Sequence, residues 1–329
     1  MVITEMEEIK LYLISNLVDS VFKSPYEKGY RSLRILTGYA SSAFLIHILN
    51  SYPEIKIDLI IGMSKKDGIN KWDHNQYKKI DSENSNVNIF YQKSLPAIHT
   101  KIYQWTNNDL LEECITFIGS ANFSWNGFRD QQELLAEVNY NNSDDIFNVI
   151  DGISCKDENV KKFINMNVFH HQDSLDPLQT TDDLYLPLNI ENLKYVELPL
   201  LRKSDTEISN RSGLNWGQRH GREQNQAYIP VPLKVHLSTP NFFPLFKQTF
   251  TLITDDNRSF ICIMAQTNRK AIQSSPNTSL IGKYFRERLK VPLGKKVEVE
   301  DVLNYGRSSL RIYKIDPETY FMDFSNVLS

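Results

Sequence analysis

The chain has 329 residues, 41% hydrophobic and 23% charged, with a net charge of −3. That is long enough for two domains with a core each, and ordinary for a globular protein in water. Three widely spaced cysteines, Cys114, Cys155 and Cys262, form no CxxC pair; this excludes a disulfide or zinc framework and points to the reducing cytoplasm. No apolar run is long enough to span a bilayer, and the acidic N-terminus is unlike a secretory signal, so no membrane partner is expected. Charge is uneven: residues 1–180 carry 17 Lys+Arg against 24 Asp+Glu, and residues 181–329 carry 20 against 16. Arg258–Lys296 holds nine basic residues and one acidic one, the composition of a surface that meets a polyanion or of a solvated basic helix.

Residues 5–22 place apolar side chains three and four apart, which predicts a helix. SLRILTGYA reads as a buried strand, Ser41–Asn50 as a helix and IKIDLIIGM as a second buried strand, a βαβ unit in a largely parallel sheet. Ile69–Ile80 reads as helix or loop, NVNIFYQ as a third strand and IHTKIYQWT as a fourth. Asn107–Glu113 is turn material, CITFIG a fifth strand, ELLAEVNY a sixth, and Asp144–Ile164 a helix. Between His170 and Leu186 periodicity lapses in an acidic, Pro-containing stretch, which sets the domain boundary at 178/179. Beyond it, short β-rich runs recur between turns: NLKYVELPLL, AYIPVPL, QTFTLITDD, RSFICIMAQT, VEVEDVLNYG, SLRIYKID and TYFMDFS. They suggest a mainly β barrel or sandwich, with a hairpin at TDDNRSF and one helix at SLIGKYFRERL.

The chemistry concentrates between His99 and Glu133. On a strand, residues two apart share a face, so His99, Lys101 and Tyr103 are expected together, opposite Ile98, Thr100 and Ile102. An imidazole beside an ammonium suits an anionic centre, the ring attacking or moving a proton and the ammonium neutralising charge. A GSAN loop, Gly119 to Asn122, follows, and Glu133 lies eleven residues beyond it.

HxK followed by GSxN resembles the phospholipase D superfamily. The resemblance implies that His99 attacks phosphorus and forms a phosphohistidine, and that Lys101 and Asn122 hold the non-bridging oxygens. Ser120 would support the site, and Glu133 would orient the imidazole by a hydrogen bond. The family's aspartate position, five residues after the lysine, holds Thr106. The superfamily reaction uses two HxK motifs and this chain has one, which predicts a homodimer through the N-terminal domain, built around one shared site. No metal or other cofactor is expected, and a break in both strands of a duplex would take sequential cuts.

Two polar stretches stand out in the second half. The first, SGLNWGQRHGREQNQAYIPVP, holds Asn215, Trp216, Gln218, Arg219, Arg222 and Asn225. The second, AQTNRKAIQSSPNTSLIGKYFRERL, holds Gln266, Asn268, Arg269, Lys270, Gln273, Ser274 and Asn277, ahead of Lys283, Arg286 and Arg288. Arg, Lys, Asn and Gln read base edges, and Ser and Lys suit phosphates, so both stretches are candidate arms around double-stranded DNA. Lys283, Arg286 and Arg288 are expected at the DNA backbone or on a solvated helix face. Their wording, LNWGQR and AYIP, then FTLITDD, FICIMAQTNRKAI and NTSLIGKYFRERL, resembles the C-terminal half of the NgoFVII family of restriction endonucleases. That resemblance implies an α/β phospholipase D-like nuclease domain, a mixed sheet with flanking helices, over residues 1–178. A mainly β DNA-binding pseudobarrel would occupy 179–329. The implied activity is a type II-like, sequence-specific, metal-independent endonuclease leaving 5′-phosphate and 3′-hydroxyl ends, accompanied by a DNA methyltransferase or a helper ATPase. The rival readings are a nonspecific phosphodiesterase of the same superfamily, and a DNA-binding protein whose nuclease site has decayed at Thr106.

Overall fold

The computed structural model describes residues 11–107, 110–138, 144–170, 183–187, 190–202 and 206–326. The chain divides into two compact units, Met1–Leu188 and Asn189–Ser329, ten residues beyond the boundary expected from the sequence.

In the first unit the elements run β1 (Leu11–Leu13), α1 (Ser24–Glu27), β2 (Ser32–Thr37), α2 (Ser42–Ser51), β3 (Lys56–Ile61), α3 (Ser64–Asp67) and β4 (Ile69–Asn70). They continue with α4 (Lys71–Glu83), β5 (Val87–Gln92), β6 (Ile102–Asn107), β7 (Leu110–Gly119), β8 (Leu135–Val138), α5 (Asp144–Phe147), β9 (Gly152–Ser154), α6 (Val160–Phe163), β10 (Met166–His170) and β11 (Asp183–Pro187). An eight-stranded sheet has the order β1-β8-β7-β6-β2-β3-β5-β9, and β11-β10-β4 form a small parallel sheet. β2, β3 and β5 pair in parallel; β6, β7 and β8 add on antiparallel, so the large sheet is mixed. The parallel strands carry unbroken apolar runs because both faces of such a strand are covered; Ile35, Leu36, Leu59 and Ile89 are buried. α2 starts where the Ser41 side chain accepts from Phe44 N–H at 3.1 Å.

Four sequence readings in this unit are corrected. Asn107–Glu113, read as turn, is largely strand: β7 starts at Leu110, paired with Asn107 of β6, because the ladder extends past the apolar run CITFIG. Residues 11–13 form a strand rather than helix, because pairing on the open edge of β8 outweighs a weak helical period; helical turns begin at Asp19. Residues 5–10 lie outside the described residues. Asp144–Ile164 is not one helix: Gly152 interrupts it, and β9 closes the edge of β5. The fourth strand starts at Ile102, so His99–Lys101 lie in the segment leading into it and not on its ladder.

The second unit contains β12 (Tyr195–Pro199), β13 (Ile229–Pro230), α7 (Leu233–Ser238), β14 (Thr249–Thr254), β15 (Ser259–Ala265), β16 (Ala271–Ser274), α8 (Leu280–Arg288), α9 (Val299–Tyr305), β17 (Ser309–Lys314) and β18 (Thr319–Asp323). The seven strands order as β12-β17-β18-β14-β15-β16-β13, and the two edge strands approach each other, so the sheet is a nearly closed barrel. Leu198, Phe250, Leu252, Met264, Ile312 and Met322 fill its interior, each worth about 1.5–3 kcal/mol by burial. VEVEDVLNYG alternates like a strand but is helical at α9. A reciprocal capping box between Glu298 and Asp301 starts the helix, and Gly306 at φ 88° ends it. β16 and α7 have no counterpart in the sequence reading, because each lies in a short polar-flanked stretch without a sustained period.

Candidate active site and nucleic-acid interface

The site lies at the carboxyl ends of β2 and β3, where ligands of open α/β sheets gather. Two glycines make room for it. At Gly62 a Cβ would sit 2.2 Å from the Ile98 carbonyl oxygen, so only glycine lets the chain pass; Ile98 N–H bonds Gly62 O at 3.0 Å. At Gly38 a Cβ would meet His99 Cδ2 at 2.9 Å, so the imidazole rests on bare backbone.

His99 is exposed, whereas Lys101 is only 5% exposed. Lys101 Nζ donates to the His99 carbonyl at 2.8 Å and lies 3.0 Å from Nε2 and 3.1 Å from Nδ1 of the ring. Burial draws its pKa below the ordinary lysine range, and the Glu133 carboxylate opposes that fall. The pair is therefore adjacent, as the spacing predicts, although Tyr103 is not part of it. Tyr103 is fully buried, and its hydroxyl donates to Ala121 O at 2.7 Å, supporting the GSAN loop from below.

That loop is fixed on every side. Phe123 is buried among Phe22, Phe44 and Tyr103, and its N–H donates to Thr37 Oγ1 at 3.1 Å. Asn122 Oδ1 accepts from Tyr39 N–H at 3.2 Å and from the Thr37 hydroxyl at 3.4 Å. With its oxygen so engaged, the amide's donor end is the one that can face an anion. Gly127 allows the following turn to close on Asn122, since a Cβ there would sit 2.2 Å from its carbonyl oxygen.

Ser120 and Glu133 meet each other. The Ser120 hydroxyl donates to the Glu133 carboxylate and accepts from Leu134 N–H at 3.1 Å. The bond from Glu133 to His99 that the resemblance implies is not formed within the chain, because the Gly119–Leu135 register brings Ser120 to the carboxylate first. Thr106 pairs with Ser32 and Cys114 at the far end of β6 from His99, away from these groups. Sequence reasoning misses Thr37, Gly38, Tyr39 and Gly62, whose roles exist only once the strands assemble. Among the described residues no cluster of three His, Cys, Asp or Glu could hold a metal ion. No helix among them is long and apolar enough to cross a membrane.

In the barrel unit the two polar stretches approach one platform. Trp216 packs against Tyr228, Ala265 and Ala271, the last two flanking the second stretch. Arg222 lies over the Trp216 ring, 3.8 Å from its centre, and bonds Gln226 at 3.2 Å. Arg219 is exposed and donates through Nε to Arg211 O at 2.7 Å. In the second stretch Gln266, Asn268 and Lys270 are exposed, and Gln266, Asn268 and Arg269 adopt φ near +60° in a tight turn. Arg269 reaches the Phe243 and Pro244 carbonyls at 3.3 and 3.2 Å.

Several expected DNA ligands are occupied inside the protein. Asn215 is fully buried and bonds Ser209 O, Val297 O and Val297 N–H, splinting one loop to another. Asn225 does the same for Glu223 and Gly294, and Gln218 donates to the Gln224 and Gly294 carbonyls. Ser274 is buried against Asn277 O and Ile281 N–H, Asn277 Oδ1 accepts from Ser279 N–H, and Gln273 is buried in β16. A buried amide that has spent its donors on backbone has none left for a base.

The basic helix is likewise not a solvated face. Arg286 is fully buried: Nε donates to Lys295 O at 2.8 Å, and the terminal nitrogens donate to Gly282 O at 3.1 Å, Gln224 O at 3.2 Å and Leu214 O at 3.4 Å. Arg288 pairs with Asp255 at 2.8 Å and reaches Tyr284, Tyr305 and Phe324 O. Both face inward because the carbonyls of the surrounding loops need donors. Lys283 remains half-buried on the helix.

A solved structure of NucT from Helicobacter pylori shares 16% identity, covering 42% of this chain and 88% of that one, with a TM-score of 0.29. The polyphosphate kinase of Porphyromonas gingivalis shares 15%, covering 41% and 20%, with a TM-score of 0.28. A hypothetical protein of Arabidopsis thaliana shares 13%, covering 39% and 86%, with a TM-score of 0.21. No curated protein matches the chain. Two family models do match, in succession. Residues 15–162 match the NgoFVII restriction endonuclease N-terminal PLD domain, and residues 188–316 match the NgoFVII C-terminal B3-like DNA-binding domain. With a phospholipase D-type nuclease unit followed by a barrel that binds DNA, this chain belongs to the NgoFVII family of restriction endonucleases.

Proposed function

We propose that the protein is a type II-like restriction endonuclease that cuts DNA without a metal, through a covalent phosphohistidine, from a site shared by two copies of the chain. The observation that carries this is His99 seated on Gly38, with Lys101 Nζ 3.0 Å from its ring and the Asn122 amide, its oxygen held by Tyr39 N–H, against the same glycine. A ring nitrogen of His99 attacks phosphorus as the bond to the 3′ oxygen breaks. That oxygen takes a proton from His99 of the second copy. Water, giving its proton to the same second histidine, then displaces the first ring and leaves a 5′-phosphate and a 3′-hydroxyl. Lys101 and the Asn122 amide neutralise the charge that gathers on the non-bridging oxygens. Glu133, held by Ser120, would steady the imidazole of the second copy. Exposed apolar side chains beside the site, Ile118 and Leu134, support a protein surface covering it.

Cleavage is measured on unmethylated DNA in excess EDTA, and the ends are sequenced. The expected result is cutting at a fixed position relative to one sequence, with 5′-phosphates. Activity that vanishes in EDTA and returns with magnesium would sink the metal-free mechanism.

For recognition, the exposed side chains Arg219, Arg222, Gln266, Asn268 and Lys270 are the ones placed to read bases or hold phosphates. Arg222→Ala is expected to lose about 1–3 kcal/mol of discrimination at one base pair. Its fold should be unchanged, since the side chain is exposed and its contacts are the Gln226 amide and the outer face of Trp216. Binding assays on a panel of single-base variants check this, and an unchanged preference would remove Arg222 from readout.

A further inference from the structure

We infer that Tyr39 is a positioning residue for the reaction, its hydroxyl latching the β2 turn to the β3 turn through Asp67; this rests on the nuclease reading of His99. Three segments converge on the imidazole: the turn 37–39, the turn 62–67 and the approach 98–101. Backbone bonds tie them at their bases, Gly62 N–H to Thr37 O at 2.8 Å, Met63 N–H to Gly38 O at 3.1 Å and Ile98 N–H to Gly62 O at 3.0 Å. At the outer rim the tie is a side-chain pair: Tyr39 Oη donates to Asp67 Oδ2 at 2.5 Å. The phenol's pKa is pushed up to about 12, by that hydrogen bond first, then by burial and the carboxylate's charge. Asp67 is itself held through its carbonyl, which accepts from Asn167 Nδ2 at 3.0 Å.

Tyr39 touches both halves of the chemistry. Its ring stands edge-on to His99, 6.0 Å between centres at 77°, and its N–H fixes the Asn122 oxygen at 3.2 Å. Gly38 between them forms the floor of the imidazole. A shift of the turn would therefore move the nucleophile and the oxygen-holding amide relative to each other. Errors of that size cost rate more than affinity, since ground-state binding of a long polyanion is spread over many contacts. Nothing in the sequence marks the pair, because Tyr39 and Asp67 belong to different strand ends.

The test is steady-state cleavage by full-length Tyr39→Phe, Asp67→Ala and the double variant, with His99→Ala as control. Tyr39→Phe keeps the ring and removes only the hydroxyl. Each single variant is expected to lower kcat about fivefold, as one rim hydrogen bond to a carboxylate allows, with KM little changed. The double variant should be no slower than either single one, because both remove the same bond. Asp67→Asn, which keeps an acceptor oxygen, should recover more activity than Asp67→Ala. Wild-type kcat in Tyr39→Phe, or additive losses in the double variant, would overturn the latch. Undiminished cutting by His99→Ala would instead overturn the nuclease reading beneath it.

Discussion

His99→Ala is expected to abolish cleavage, lowering kcat by about 10⁴-fold or more, while DNA affinity stays within about twofold. The loss is large because the bond-forming atom is removed. The fold should tolerate the change, since His99 is exposed, with Gly38, Lys101 and the Tyr39 ring around it. The same variant tests the shared site. After subunit exchange with a ninefold excess of His99→Ala, only about one wild-type chain in ten retains a wild-type partner in a two-fold dimer. Activity per wild-type chain should then fall about tenfold. Activity that stays proportional to wild-type chains would mean that each chain cuts alone, with a proton donor of its own.

Arg286→Ala should have the largest effect on stability, about 4 kcal/mol in the barrel unit. The side chain is fully buried and donates to four backbone carbonyls, at Leu214, Gln224, Gly282 and Lys295. Burial pulls its pKa below the usual arginine value, with Glu223 opposing, but a guanidinium remains charged there. Removing it takes one donor from each of four carbonyls in a buried site, and of these Gln224 O keeps the Gln218 amide. Hydrogen exchange of the β14 and β15 amides, the slowest expected in the unit, should accelerate about a thousandfold. DNA binding should weaken too, because two of the four carbonyls belong to the first recognition stretch. Exchange and binding at wild-type levels would show that the loops hold their shape without this residue.

How much of this is legible in the sequence differs between the two units. The parallel strands β2, β3 and β5 are readable because continuous apolar runs have few other fates. His99, Lys101, Ser120 and Asn122 are readable because short spacings survive folding unchanged. Thr37, Gly38, Tyr39 and Asp67 are not, since only the pairing of β2 with β3 brings them beside His99. α9 is missed because Val297, Val299 and their glutamates alternate like a strand, while the deciding capping box is a local bond. The recognition stretches are the hardest. Composition does not separate an asparagine that meets DNA from one that, like Asn215, splints two loops.

The inward-facing Arg286 has a consequence for how such a protein could change its target. The groups that hold the first stretch in shape, Asn215, Asn225 and Arg286, are buried, whereas its exposed arginines make surface contacts with Arg211 O, Gln226 and the Trp216 ring. Frame and lettering are thus carried by different side chains. If Arg219 and Arg222 read bases as proposed, a substitution there would alter what is read without loosening the buried frame, and new specificities could arise one residue at a time. The buried bonds of that stretch are made within the protein, so the entropy cost of fixing those side chains falls on folding rather than on the encounter.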